Sequence, residues 1–130
     1  MRVLWADDHY RQLTPVQTLL ERRFELVGMV SDGKAALDAA RKLRPDVVVL
    51  DISMPELSGI DVARKLQADE DGPAIVFLSV HQDPAIVGAA LDAGAFGYVL
   101  KAVAGRDLIV AIEEALAGRR YLSPALRTPP

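Results

Sequence analysis

Five short apolar runs recur along the chain, together rich in β-branched residues and without alternating polar positions. The runs occupy residues 3–6, 26–30, 47–50, 75–78 and 98–100. Continuous apolar runs of this length are typical of strands that are buried on both faces, as in a parallel sheet. The pattern therefore predicts five parallel strands.

The segments between these runs carry apolar residues at helical spacing. The stripes consist of Leu37, Ala40 and Leu43, of Ile60, Ala63 and Leu66, and of Leu108, Ile109, Ile112 and Leu116. Asp83 followed by Pro84 indicates one helix start, Ser58 indicates another, and Gly118 indicates a helix end. Pro15 would interrupt a helix that began near residue 10, so we expect the first helix to be kinked or to begin late.

Five strands that alternate with five helices predict an α/β fold. Right-handed crossovers between parallel strands give a doubly wound sheet, and its five-stranded form commonly has the flavodoxin-like order 2-1-3-4-5. The 130 residues are enough for one domain with a real core and too few for two. Ligands of such a sheet bind beyond the carboxyl ends of the strands, where the first and third strands are neighbours.

Polar residues follow four of the predicted strands at this edge. Asp7 and Asp8 follow the first strand, Asp51 the third, Ser79 the fourth and Lys101 the fifth. Taken singly, the aspartates and the serine are good helix caps, and the lysine is an ordinary surface charge. Capping does not explain why carboxylates follow two strands while a hydroxyl and an ammonium follow two others. A site for phosphoryl transfer requires that distribution.

Three carboxylates in one crevice repel one another, so this cluster needs a counterion. A set of oxygen donors favours Mg2+ over zinc, which prefers nitrogen and sulfur ligands. A carboxylate beside such an ion can act as a nucleophile toward phosphorus and form an aspartyl phosphate. Asp51 is the best candidate because it stands alone after the central strand, and Lys101 and Ser79 are placed to stabilise charge on the transferred group.

Charge and composition exclude several other classes of protein. The net charge of −3 comes without a Lys/Arg-rich run, so we expect no nucleic-acid binding by this segment alone. The absence of cysteine excludes disulfides and thiolate chemistry. The first apolar run is far shorter than a signal-peptide core or a membrane span, so we expect a cytoplasmic protein that does not contact membranes.

Over essentially its whole length the chain resembles the receiver domain of two-component response regulators. The resemblance is carried by the acidic pair Asp7-Asp8, by Asp51 within residues 48–55, by Ser79, by Lys101, and by Tyr98 three residues before that lysine. The segments 7–9, 78–81 and 121–124 are similar to the LuxR-type (NarL-like) subgroup. Two positions depart from the family pattern, since Ala102 stands where proline is frequent and Val80 where a small residue is common.

The resemblance implies a role for each of these residues. Asp51 would be the phosphoacceptor, Ser79 and Tyr98 would be the switch residues, and Lys101 would contact the phosphoryl group. Asp8, Asp51 and the backbone carbonyl of Ser53 would bind Mg2+ directly, with Asp7 acting through water. The lone residues His9 and His81 are expected to take no part in the chemistry, because the phosphodonor histidine belongs to the partner kinase.

The resemblance also implies a signalling switch rather than an enzyme. Its partners would be a sensor histidine kinase and, on phosphorylation, a second copy of the chain. In the subgroup a helix-turn-helix domain that binds DNA follows the receiver. We therefore expect residues 1–118 to form the receiver domain and residues 119–130 to be a tail or the start of a linker to an absent output domain.

Three other functions compete with this interpretation. A haloacid-dehalogenase-like phosphatase also uses an aspartate after a parallel strand, but it would need a second aspartate where Ser53 stands. A nucleotide-binding domain would need a glycine-rich loop after a strand, and none is present. A pseudo-receiver that only mediates protein contacts would not need the complete set of site residues.

Overall fold

Six parallel strands form one sheet in the computed structural model, which describes residues 1–127. The strands are β1 (Arg2–Ala6), β2 (Glu25–Val30), β3 (Val47–Leu50), β4 (Ala74–Ser79), β5 (Gly97–Leu100) and β6 (Tyr121–Leu122). Their order is β2-β1-β3-β4-β5-β6, and every neighbouring pair is parallel. The predicted order of the first five strands is confirmed, but the predicted number of strands is wrong.

The additional strand lies in the segment that the sequence set apart as a tail. Backbone hydrogen bonds from Tyr121 N to Phe96 O at 2.9 Å and from Ser123 N to Tyr98 O at 3.0 Å hold β6 against the free edge of β5. A strand of two residues is too short to give a periodic pattern, so sequence analysis missed it. Part of the segment 119–130 thus belongs to the sheet, and the Pro-rich end, 128–130, lies outside the described residues.

Five helices connect the strands, as predicted. They are α1 (Thr14–Arg23), α2 (Gly33–Leu43), α3 (Gly59–Ala68), α4 (Pro84–Asp92) and α5 (Ala104–Leu116). Short 3-10 turns occupy Tyr10–Gln12, Lys101–Val103 and Pro124–Leu126. The late start of the first helix is confirmed, because Pro15 lies in the first turn of α1, where its missing N–H would have had no partner inside the helix.

Two apolar layers cover the two faces of the sheet. Successive residues of a strand point to opposite faces, so Leu4 belongs to the layer that includes residues of α2, α3 and α4, and Trp5 to the layer that includes residues of α1 and α5. Trp5 is fully buried, as expected of a core residue. Among residues 1–127 there is no helix that combines the length and the apolar character needed to cross a membrane.

The start of α3 packs very tightly against the end of β3. A Cβ atom on Gly59 would lie 1.9 Å from the carbonyl oxygen of Asp51, a distance that no real contact allows. The Gly59 N–H donates to Ile52 O at 2.7 Å in the same turn. Glycine at this position therefore fixes the backbone of Asp51 at the carboxyl edge of the sheet.

Candidate functional site

Two buried carboxylates lie side by side at the carboxyl edge of the sheet. Asp7 follows β1 and is fully buried, and Asp51 follows β3 and is 5% exposed. Because β1 and β3 are adjacent in the sheet, the topology brings these two residues together. Asp8 lies next to them at the surface.

Lys101, directly after β5, connects the two buried carboxylates. Its Nζ lies 2.8 Å from Asp7 Oδ2 and 3.2 Å from Asp51 Oδ2, and its side chain is 15% exposed. Both contacts are ion pairs, and the contact with Asp51 also has hydrogen-bond geometry. The structure thus brings Asp7, Asp51 and Lys101 into direct contact, as the sequence predicted.

The pKa values of both Asp51 and Lys101 are raised, which disfavours the charged form of Asp51 and favours that of Lys101. Burial raises the pKa of Asp51, the neighbouring Asp7 carboxylate adds to the rise, and Lys101 offsets only part of it. Burial lowers the pKa of Lys101, but the carboxylates of Asp7 and Asp51 outweigh this effect and the pKa is raised overall. Asp51 is therefore a carboxylate whose ionised form is short of compensating positive charge.

The cluster fits a hard divalent cation. One ligand atom from each of Asp7, Asp8 and His9 lies within 4.8 Å of the others, so these atoms are close enough to share one ion. The carboxylates of Asp7, Asp8 and Asp51 carry more negative charge than the single ammonium of Lys101 balances, so the cluster still calls for a cation. Asp51 is not in this group of three; its Oδ1 accepts from Ile52 N at 2.8 Å and its Oδ2 contacts Lys101.

Ser79 and Tyr98 meet at the backbone of His81, in the loop between β4 and α4. Ser79 Oγ accepts a hydrogen bond from His81 N at 3.0 Å, and the Tyr98 hydroxyl donates to His81 O at 2.8 Å. Both side chains are fully buried. Burial raises the pKa of Tyr98, so its hydroxyl keeps its proton and acts as a donor. One peptide segment therefore connects the two predicted switch residues.

Ser53, in the loop after β3, reaches the same segment through its side chain. Ser53 Oγ lies 3.0 Å from His81 Nε2 in a hydrogen bond. On the other side of the site, His9 Nδ1 lies 2.9 Å from Asp8 Oδ1. Both histidines that the sequence analysis set aside thus contact predicted site residues. The available signal was their position in sequence, since His9 directly follows Asp8 and His81 lies two residues after Ser79.

Sequence analysis also missed a buried acid on α5. Asp107 is 1% exposed and accepts hydrogen bonds from Ser123 Oγ at 2.9 Å and from the Tyr121 hydroxyl at 3.0 Å. The available signal was its position in the apolar stripe of α5, beside Leu108 and Ala111, since a carboxylate in such a stripe requires polar partners.

A sizeable surface pocket lies elsewhere in the described part of the chain. It measures about 530 Å³ and is lined by residues such as Arg41, Asp46, Asp69 and Pro73, at the amino ends of β3 and β4. Its walls carry a bidentate Arg41–Asp69 ion pair but none of the site residues described above. The candidate site is therefore defined by its charged side chains and not by cavity size.

Comparisons with known proteins agree with this geometry. The sequence profile of the response regulator receiver domain matches residues 3–113. The nitrate/nitrite response regulator NarL of Escherichia coli K12 is 36% identical over 126 residues, which are 95% of this chain and 58% of that protein.

Solved structures show the same likeness. A LuxR-family two-component response regulator from Aurantimonas sp. SI85-9A1 superposes with a TM-score of 0.89 at 35% identity, covering 96% of this chain and 91% of that one. A structure of the Salmonella typhimurium RcsB response regulator, described in terms of DNA interaction, gives 0.86 at 30% identity, covering 97% and 64%. This chain spans about 60% of the length of the curated relatives that it matches.

Proposed function

We propose, because this chain belongs to the response regulator receiver domain family, that Asp51 is the phosphoacceptor of a two-component signalling switch. The observation that carries the proposal is the contact of Lys101 Nζ with the buried Asp51 and Asp7 carboxylates, at 3.2 and 2.8 Å. This contact joins a positive charge to two buried carboxylates at the edge of the sheet where β1 and β3 are neighbours, which supports a role for Asp51 as the nucleophile. Members of this family act in signalling and are generally not regarded as enzymes.

The residues divide the work of phosphoryl transfer among them. A carboxylate oxygen of Asp51 attacks phosphorus, a new O–P bond forms, and the bond to the donor breaks with its electron pair leaving on the donor atom. Lys101 stabilises negative charge on the equatorial oxygens. The Ser79 oxygen is occupied as an acceptor from His81 N, so its own proton is available for a phosphoryl oxygen.

Magnesium is part of the proposal. Asp7, Asp8, Asp51 and the backbone carbonyl of Ser53 would hold the ion, and the excess of carboxylate charge over the single Lys101 ammonium supports this assignment. When bound, Mg2+ supplies neutralising charge between the carboxylates and the transferred group. The protein residues keep the nucleophile oriented: Ile52 N–H holds Asp51 Oδ1, and Gly59 lets α3 press against the Asp51 backbone.

Phosphorylation would then reposition Tyr98. Ser79 and Tyr98 both bind the backbone of His81, so a phosphoryl group that draws the Ser79 hydroxyl toward itself also moves the peptide that receives the Tyr98 hydroxyl. A ligand shifts an equilibrium only by its different affinities for two states, and charge-assisted hydrogen bonds from Ser79 and Lys101 provide that difference. The surface that changes would include α4, β5 and α5.

The partners are proposed from the family. A sensor histidine kinase would donate the phosphoryl group, the phosphorylated chain would form a homodimer, and a helix-turn-helix output domain in a longer protein would bind DNA. The matched relatives support the last point, because they are longer than this chain and one RcsB structure is described through its DNA interaction. Residues 1–118 would be the receiver and 119–130 would lead to the output domain, in a cytoplasmic protein.

Intact-mass analysis after incubation with Mg2+ and a small acyl-phosphate donor tests the proposal. We expect one phosphoryl group on the wild type, none on Asp51→Asn, and normal labelling of Asp92→Asn, a matched change at the exposed end of α4. Peptide mapping should place the group on Asp51. Labelling elsewhere, or equal labelling of Asp51→Asn, would overturn the assignment.

The same experiment separates the competing functions. A protein that takes no phosphoryl group although Mg2+ binds would be a pseudo-receiver. Steady turnover of a generic phosphate ester, with Asp51 required, would indicate a phosphatase. A single slowly decaying adduct on Asp51 supports the receiver.

A further inference from the structure

The chain beyond α5 is tied to the strand that carries Tyr98 and ends before Lys101. Ser123 N donates to Tyr98 O at 3.0 Å, and Leu100 N donates to Ser123 Oγ at 3.1 Å. Leu122 and Leu126 pack against the same apolar layer as Tyr98. One serine therefore contacts the backbone of the proposed switch residue and of the residue just before the proposed phosphoryl-binding lysine.

Asp107 anchors this serine from α5. Its carboxylate accepts from Ser123 Oγ and from the Tyr121 hydroxyl, and Arg106 forms a bidentate pair with it at 2.8 and 3.0 Å. A buried carboxylate is costly unless its oxygens are satisfied, so the docked position of Tyr121 and Ser123 is specified by this charge. We call Asp107, Tyr121 and Ser123 the Asp107 cluster.

The charge of Asp107 is maintained by these contacts. Arg106 lowers the pKa of Asp107 most, burial opposes it, and Ser123 and Tyr121 lower it further, to about 2. The carboxylate is therefore ionised across the physiological range and holds Ser123 with a charge-assisted hydrogen bond. Neutral hydrogen bonds at the edge of a sheet would be weaker.

We propose that the Asp107 cluster couples the state of the phosphoacceptor site to the docking of residues 121–127, so that movement of Tyr98 and Lys101 strengthens or weakens the hold on the chain that leads out of the receiver. The proposal rests on the proposed function. Two directional hydrogen bonds hold Ser123 to β5, and such bonds weaken steeply when their geometry is lost. A shift of the β5 backbone near Tyr98 or Leu100 thus changes the stability of the docked segment.

The coupling runs in both directions, because a free energy of coupling between two sites is reciprocal. Undocking residues 121–127 frees Leu100 N–H and so alters the backbone that positions Lys101. Asp107 and Ser123 are positioning residues in this scheme, since neither touches the reacting atoms.

Amide hydrogen exchange of the 130-residue chain, with Mg2+ and with or without the beryllofluoride phosphoryl mimic, tests the coupling. The amides of Tyr121 and Ser123 report docking directly, because they donate to Phe96 O and Tyr98 O. In the wild type we expect the mimic to change their exchange rates at least about five-fold, the lower range of measured couplings. Tyr98→Ala should bind the mimic and lose most of this response.

Ser123→Ala should expose both amides with and without the mimic, and Ser123→Thr, which keeps the hydroxyl, should restore the response. Ile112→Val, a core change in α5, controls for loss of stability alone and should keep the full response. As a second readout, Ser123→Ala should change the rate of phosphorylation by the small donor about five-fold or more, whereas Ile112→Val should leave it unchanged.

The outcomes separate the two proposals. If the mimic binds at Asp51 while exchange at residues 121 and 123 stays the same, the coupling is wrong and the proposed function stands. If Ile112→Val alters the response as much as Ser123→Ala, the cluster is merely structural and the coupling is again wrong. If no mimic binds and no phosphoryl group is accepted at Asp51, the proposed function itself fails.

Discussion

Lys101→Met removes the positive charge that lies between two buried carboxylates, and we expect it to be strongly destabilising in the absence of metal. Methionine keeps most of the length and apolar character of the side chain. What is lost is the ammonium that lies 2.8 Å from Asp7 and 3.2 Å from Asp51. Asp7 is fully buried, so its charge would then face Asp51 without compensation.

The magnitude follows from the depth of the pair. At an effective dielectric constant of about 20, two unit charges about 3 Å apart attract by roughly 5–6 kcal/mol, most of which offsets desolvation. Removing one partner of a fully buried pair costs about 3–5 kcal/mol. The side chains of Lys101 and Asp51 are 15% and 7% exposed, so solvent partly screens the interaction between their charges. We therefore expect a loss of about 2–3 kcal/mol, or roughly 8–12 °C in Tm for a domain of this size.

Urea unfolding without metal measures this loss, with Lys65→Met, an exposed lysine of α3, as the matched control. The raised pKa of Asp51 means that its ionised form costs folding free energy at neutral pH, because the unfolded state holds that charge more easily. Adding Asp51→Asn to Lys101→Met should therefore recover about half of the loss, since asparagine still accepts from Ile52 N. Mg2+ should recover a similar part in the single variant.

Two results would refute this reasoning. A loss below about 0.5 kcal/mol, within the range of ordinary surface changes, would mean that the carboxylates do not depend on Lys101. If the double variant Lys101→Met/Asp51→Asn is no more stable than Lys101→Met, the uncompensated negative charge of Asp51 is not the cause of the loss.

Two further predictions concern the Asp107 cluster. Ser123→Ala should lower the free energy of unfolding in urea by about 2–3 kcal/mol, because it leaves the buried Leu100 N–H unsatisfied and removes a donor to Asp107. Tyr121→Phe should lower it by about 1 kcal/mol, because Arg106 still donates to Oδ1 of Asp107, the oxygen that loses the tyrosine hydroxyl. Equal costs would contradict this ranking. Since folding lowers the pKa of Asp107 from 3.8 to about 2, its stabilisation is complete above about pH 4 and is lost as the pH falls toward 2. The stability gap between wild type and Asp107→Asn should therefore be constant from about pH 5 to 7 and shrink below about pH 4, and a gap that persists at low pH would show that ionisation is not its source.

The fold was largely predictable because a strand that is buried on both faces requires a continuous run of apolar residues in the sequence. A central parallel strand such as β3 must be apolar throughout, and all four of its residues are indeed fully buried. The late start of α1 was predictable for a covalent reason, the missing N–H of Pro15. The strand β6 has no such run of apolar residues. Its pairing depends on contacts that Asp107 and Ser123 make with residues distant in sequence, and these contacts form only in the folded structure.

The site was predictable at the level of topology. Knowing which strands are neighbours suffices to bring Asp7, Asp51 and Lys101 to one edge of the sheet. The contacts of His81 were not predictable in this way, because they depend on the conformation of the loop after β4, where no periodic pattern constrains the backbone. Sequence reasoning thus located the charged groups and missed the peptide that joins Ser79 to Tyr98.

The proposed phosphoacceptor and the proposed switch residue Tyr98 are positioned by different strands, and Lys101 connects them. Asp7 and Asp51 directly follow β1 and β3, which lie inside the sheet and are held on both sides by neighbouring strands. β5 is held by β4 on one side and on the other only by the two residues of β6. A charge change at Lys101 therefore acts on the strand with the least constrained neighbour, and that strand carries Tyr98. Among the four strands that site residues follow, β5 has the fewest paired positions, so a movement caused by phosphorylation would break the fewest hydrogen bonds there.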